Sequence, residues 1–206
     1  MDRILSLSQY VPSKTKLIQY DNATFLAGQI GLIPATMEFP NPPSIAMEAA
    51  ISLQHIFRVA RAVNVDPLVG LEGAVAYIVQ EQDVQVVAET WKNSFEDAPQ
   101  LASVLVDGLP RGARVEWHII RCRKSSDEVS KPRLRMEVED HQVFTTIDEL
   151  RGEYGVLCMV FGSQEMMLRI TSRYKDVAFQ TIPSRAVYSV NNGIVQHKSC
   201  TIILSE

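Results

Sequence analysis

At 206 residues, 46% apolar and 21% charged, the chain has the composition of a globular protein with room for one generous domain, or a domain and an appendage. A net charge of −4, with basic residues scattered except at Arg121, Arg123 and Lys124, argues against a dedicated nucleic-acid binder, because no basic stripe neutralises phosphates. No apolar run approaches the roughly 20 residues that cross a bilayer, and Met1 to Leu5 lack a signal-peptide layout, so a cytoplasmic chain with no membrane partner is expected.

Residues up to about Tyr20 read as a first strand ending at the Asp21-Asn22 turn. Thr24 to Leu32 is the second strand, and the chain is organised around it. Phe25, Leu26 and Ala27 carry no charge to solvate, which suits a strand inside a sheet. Gly28 and Gly31 let the chain bend, or let another group approach the backbone closely, and Pro34 ends ladder pairing because it has no amide hydrogen. Pro34, Pro40, Pro42 and Pro43 make residues 34–43 a loop. Ser44 has the side chain of an N-cap, and Ala49, Leu53, Ile56, Ala60 and Val63 then recur at steps of four and three, which predicts a helix ended by Asn64-Val65-Asp66-Pro67.

A strand over Gly73 to Val79 follows. Asp83 is placed to cap a second helix with Val84, Val87, Trp91 and Phe95 on one face. Leu101 to Val106 and Arg114 to Cys122 read as strands around Gly108 to Gly112, a hairpin-type connection. In the latter strand Val115, Trp117 and Ile119 face one side, and Arg111 and Arg114 read as solvated turn residues.

Residues 125–133 are polar, charged and broken by Pro132, which marks a linker. Beyond it the order repeats. Gly155 opens the apolar run Val156 to Phe161, Ser163 caps a helix carrying Met167, Ile170, Tyr174 and Val177 on one face, and Arg185 to Val190 and Ile194 to Leu204 are strands around Asn191-Asn192-Gly193. Residues 134–154 are too few to repeat both the organising strand and the first helix. The division expected is a first domain at 1–124, a linker at 125–133 and a partial second unit at 134–206.

Cys122, Cys158 and Cys200 are far apart in apolar runs and read as buried, reduced thiols. His55, His118, His141 and His197 form no H-E-x-x-H pair, so no metal site is expected. His55 and His118 fall inside periodic elements, where structural roles are the simpler reading.

Residues 13–123 resemble the RidA/YjgF family. The matching pieces are Phe25-Leu26-Ala27-Gly28-Gln29-Ile30, the helix from Ala46 to Val63, and Leu109-Pro110-x-x-Ala113-x-Val115-Glu116. The resemblance implies an α+β, RidA/chorismate-mutase-like β-sheet backed by two helices, with subunits assembled as a homo-oligomer, a trimer in the family, and ligand clefts between them. Here a partial second strand–helix–strand–strand unit is added. In active relatives the backbone at Gly28, Gln29 and Gly31 lines the ligand cleft.

Relatives that hydrolyse enamines and imines hold a substrate carboxylate with an arginine in a segment reading P-x-R-S-x-V-x-V. A planar guanidinium makes a two-bonded clamp that leucine cannot reproduce. Here Pro99-Gln100-Leu101-Ala102-Ser103-Val104-Leu105-Val106 fills the segment, so Leu101 takes the arginine's place. The family's acidic position in the last strand falls on His118 and its helix asparagine on Ala88, and its N-terminal tyrosine has no counterpart. In the second unit, Ile182-Pro183-Ser184-Arg185 restores a proline and an arginine, and the similar spans Gly73 to Pro99 and Gly155 to Pro183 set Arg185 where Leu101 stands. Arg185 reads either as a clamp for a small anionic ligand or as a strand-end arginine in a salt bridge.

The stretch Gly28 to Met37 further resembles the YjgF-like modules at the C-terminus of long eukaryotic diphthine–ammonia ligases. In those an N-terminal adenine-nucleotide domain makes diphthamide on elongation factor 2 from ATP and ammonium. These residues contain no phosphate loop such as S-G-G-x-D-S, so no cofactor is expected in this segment. The resemblance implies a C-terminal, non-catalytic module for oligomerisation or small-ligand binding. The alternative is an enamine/imine deaminase that uses Arg185.

Overall fold

The computed structural model describes residues 17–20, 23–68, 70–123, 134–137, 157–174, 179–190, 194–197 and 200–204. The Asp21-Asn22 turn, the linker at 125–133, His141, Val177 and the turn at 191–193 lie outside them, as do the side chains of the three cysteines and His197.

The N-terminal part runs β1 (Leu17–Tyr20), β2 (Ala23–Ile30), α1 (Ile45–Ala62), β3 (Leu71–Ile78), α2 (Val84–Lys92), β4 (Gln100–Leu105) and β5 (Val115–Arg123). Ser44 caps α1 as its side chain predicts, its Oγ accepting from Met47 N at 3.3 Å. Asn64 turns the chain out of α1 at φ 60°, a conformation asparagine tolerates better than most residues. Ala49, Leu53, Ile56 and Ala60 of α1 and Val84, Val87 and Trp91 of α2 are buried against Leu26, Ala74, Ala76, Ile78, Leu101, Val115, Trp117 and Ile119 of the sheet. Trp91 and Trp117 stack at 5.3 Å, and each indole N–H finds a carbonyl, Pro99 O at 2.8 Å and Ala49 O at 3.0 Å.

Three expectations are corrected here. Leu101 to Val106 and Arg114 to Cys122 are strands, but they do not pair as a hairpin: β5 lies between β2 and β3, and β4 runs parallel to β3 on the other side. The segment 106–114 therefore crosses the end of β3, and both flanks of β4 are left for other partners. Asp83 makes no capping hydrogen bond at α2. Its buried carboxylate takes the guanidinium of Arg114, with Nε to Oδ2 at 3.0 Å, so Arg114 is partly buried in an ion pair rather than solvated.

The C-terminal part runs β6 (Leu134–Glu137), β7 (Leu157–Gly162), α3 (Gln164–Arg173), β8 (Phe179–Pro183), β9 (Ala186–Ser189), β10 (Val195–His197) and β11 (Cys200–Leu204). Ser163 caps α3 through Met166 N at 3.2 Å. Among the described residues two sheets form, β1-β2-β5-β3-β4-β9-β10 and β6-β11-β7-β8. The stretch expected as one strand from Ile194 to Leu204 is thus divided between them, β10 in the first and β11 in the second. β9 adds to the outer edge of β4, while β8 pairs parallel with β7. On the sheet face away from α1 and α2, Val75, Tyr77, Ala102 and Val104 pack against Met159, Phe161 and Val187, so the second unit covers this part of the first.

Candidate functional site

Gly28 sits where β2 slips against β5, in a register irregularity between Leu26 and Gln29. A Cβ on Gly28 would stand 1.7 Å from Glu116 Oε1, so the glycine exists to let that carboxyl lie on the backbone. Gln29 braces the irregularity, its Nε2 donating to Gly28 O at 2.9 Å and Ala27 O at 3.2 Å. Gly31 serves a different neighbour. A Cβ there would meet Glu48 O at 2.4 Å, because the first turn of α1 lies directly on it. Glu48 is itself buried, and its Oε1 accepts from Arg114 N at 2.7 Å, tying α1 to the start of β5.

Val115, Trp117 and Ile119 point to the helices, so alternation sends Glu116 and His118 to the opposite face. Glu116 stands directly across from Tyr77, and the Tyr77 ring stacks with His118 at 6.3 Å and meets Phe161 of β7 at 6.2 Å. Burial raises the Glu116 carboxyl above its ordinary range and lowers His118. Burial, then the Glu116 charge, pushes the Tyr77 phenol well above its usual value. Near neutral pH the face therefore presents a neutral imidazole, a neutral phenol and a carboxyl of weakened acidity. Such a set hydrogen-bonds in both directions and can hold a proton. Sequence reasoning placed the acidic position at His118; the carboxyl on Gly28 is that of Glu116, two residues earlier. The alternation of Val115, Trp117 and Ile119 already put Glu116 and His118 on one face.

Leu101 is 1% exposed and packs in the helix-facing core opposite Ala74, near the start of β3. Arg185 is not its counterpart. The last pair of β7 with β8 is Gly162 with Pro183, so Arg185 lies two residues past the end of the parallel pairing, whereas Leu101 lies inside it. Equal spacing failed as a guide because the strands meet in different register. Arg185 Nη2 donates to Val79 O at 2.6 Å and Val106 O at 2.8 Å, and Nε faces Asp107 Oδ1 at 3.2 Å. Both Nη2 hydrogens are spent, so neither edge of the guanidinium that includes Nη2 keeps two free donors for a carboxylate.

Of the sequence-predicted residues, Gly28 and Gln29 shape the backbone at this face. Gly31 turns toward α1, and Arg185 reaches the ends of β3 and β4. His55 is structural, its Nε2 donating to Leu32 O at 2.8 Å. Among the described residues no cluster of metal-ligating groups forms, and no helix is long and apolar enough to cross a membrane.

No family model matches the chain. A diphthine–ammonia ligase from Schizosaccharomyces pombe is 39% identical over 111 residues, which is 52% of this chain and 18% of that protein. The chain thus spans less than a fifth of the curated relative it matches. Among solved structures, an endoribonuclease candidate from Thermotoga maritima superposes with a TM-score of 0.51 at 22% identity, covering 56% of this chain and 90% of that one. A Rid-family protein of unknown function from Yersinia pestis gives 0.50 at 20%, covering 54% and 89%. A mixed sheet backed by α1 and α2, matched on these terms, is the RidA/YjgF fold, and the chain that carries it is similar over about half its length to a diphthine–ammonia ligase.

Proposed function

We propose that this chain is a non-catalytic RidA-like module of a cytosolic protein of the diphthine–ammonia ligase kind, and that it binds a small ligand at the Gly28–Tyr77–Glu116–His118 face. The observation that carries this reading is the fate of the clamp. Leu101 is sunk in the core, and Arg185 has turned Nη2 to Val79 O and Val106 O and Nε to Asp107. A ligand on this face is held by hydrogen bonds to Glu116, His118 and Tyr77 rather than by a guanidinium, which selects against small carboxylates. ATP-dependent amidation belongs, on this reading, to a different domain of such a protein.

One observation bears against self-assembly through the β4 edge. The outer edge of β4 is already paired with β9, and the neighbouring sheet face is already covered by Met159 and Phe161. The test is turnover of an imine generated from an amino acid, with and without Arg185→Ala. No hydrolysis above background is expected in either protein. Hydrolysis that Arg185→Ala abolishes would establish the deaminase instead.

A further inference from the structure

Three carboxyls stand in or beside the first sheet, and two of them are matched. Glu48 accepts from Arg114 N, and Asp83 takes the Arg114 guanidinium. Glu116 differs. Its carboxyl lies against the Gly28 backbone, where a Cβ would meet it, and among the described residues it enters no hydrogen bond and no ion pair. Burial acts on it with no cation to offset the lost water. Beside it, His118 and the Tyr77 phenol likewise make no hydrogen bond among the described residues, though their rings stack at 6.3 Å and Tyr77 is only 9% exposed. The neutral imidazole keeps one ring nitrogen as an acceptor, and the phenol oxygen accepts while keeping its own proton. Gly28, Glu116 and His118 are each partly exposed, so a small molecule can reach the group.

We propose that the ligand of this face carries a protonated primary amine, which Glu116 pairs with and which His118 and Tyr77 orient. The proposal rests on the ligand-binding reading of the face and names the chemical class of the ligand. An ammonium group has three donors and no acceptor, which complements one carboxylate and two neutral acceptors. Its charge is the partner that the half-buried carboxylate lacks, and a charge-assisted hydrogen bond is roughly twice as strong as one between neutral groups. A ligand carboxylate would meet Glu116 as a like charge, and a neutral amide would leave the charge of Glu116 uncompensated. A divalent metal ion is poorly served, because it asks for several ligating groups and among the described residues no such cluster forms. Gly28 sets the specificity by leaving room for the carboxyl, since the nearest atom to a Cβ there is Glu116 Oε1.

The test titrates the full chain at neutral pH and constant ionic strength with n-propylammonium, propionamide and propionate, three probes of similar size and different charge. The readout is the NMR shift of the His118 ring and of the Gly28 and 115–119 amides. n-Propylammonium is expected to shift these signals saturably, with propionamide at least about tenfold weaker and propionate without effect. Glu116→Gln is expected to weaken n-propylammonium by about tenfold or more. If that variant does not fold, Gly28→Ala keeps the carboxyl but pushes it aside, and the same loss is expected. Propionamide or propionate binding as well as n-propylammonium, or n-propylammonium binding unchanged in the folded variants, overturns the amine and leaves the ligand-binding reading standing. No saturable shift with any of the three probes overturns both.

Discussion

Gly28 and Gly31 stand three positions apart, and both forbid a side chain, but for reasons that separate on substitution. The atom nearest a Cβ at Gly28 is the far end of the Glu116 side chain, which can swing away. At Gly31 it is the backbone oxygen of Glu48, so α1 itself must shift. Gly28→Ala is therefore expected to cost under about 1 kcal/mol in urea unfolding while displacing Glu116 from the ligand face, and Gly31→Ala about 2–3 kcal/mol. Equal losses would mean that Glu116 is as rigidly held as the helix. That these glycines mark close approaches was legible from their place in an otherwise apolar strand. Which group approaches each was not, because Glu48 and Glu116 come from elements that only the tertiary fold brings near. The titrating pair gives a pH prediction with opposed signs. His118 is lowered, so the unfolded chain binds its proton first on acidification, and stability falls as pH drops below about 6.5. Glu116 is raised, so stability falls as pH rises above about 4.5 through its folded value. His118→Asn should remove the loss below about pH 6.5 and leave the Glu116 slope, measured as unfolding midpoints from pH 4 to 8.

At the scale of elements, the helices and most strands were readable because their periodicities are local, whereas β6 and β8 were not marked as strands. Ser44 and Ser163 cap as their positions before apolar periodic runs suggest, since the partner amide lies three residues on. Asp83 occupied the same kind of position and does something else, because Arg114, distant in sequence, offers its carboxylate a stronger partner than a backbone amide. Asparagine is as good a cap as aspartate but carries no charge, so Asp83→Asn distinguishes the two roles. The ion pair predicts a loss of about 1–3 kcal/mol, discounted for the partial exposure of Arg114, whereas a capping role predicts nearly none. The β4–β5 connection misled for a related reason. A five-residue connection with two glycines and a proline between two apolar runs fits a hairpin locally, but β5 finds β2 and β3 as partners and β4 finds β3 and β9.

For the whole molecule, the repeat of strand, helix and strand after residue 156 was visible, yet its use was not. Nothing local marks β8 and β9 as members of different sheets, since pairing is decided by which edge is open. The resemblance implies a homo-oligomer with ligand clefts between its subunits. In this chain β9 closes the edge of β4, and Met159, Phe161 and Val187 supply the apolar layer over Val75, Tyr77, Ala102 and Val104. A surface filled within the chain is not available to a second copy, and displacing the filling would expose two hydrophobic faces at about 25 cal/mol per Å². Light scattering on the purified chain is therefore expected to return the mass of a single copy. The same measurement on Phe161→Ala, which loosens the seat at a cost of about 3–5 kcal/mol, is where self-association should first emerge, with copies exchanging second units. A wild-type chain that is already trimeric would mean that copies meet on a surface other than the β4 edge, and that β9 and β7 complete a subunit rather than replace a neighbour.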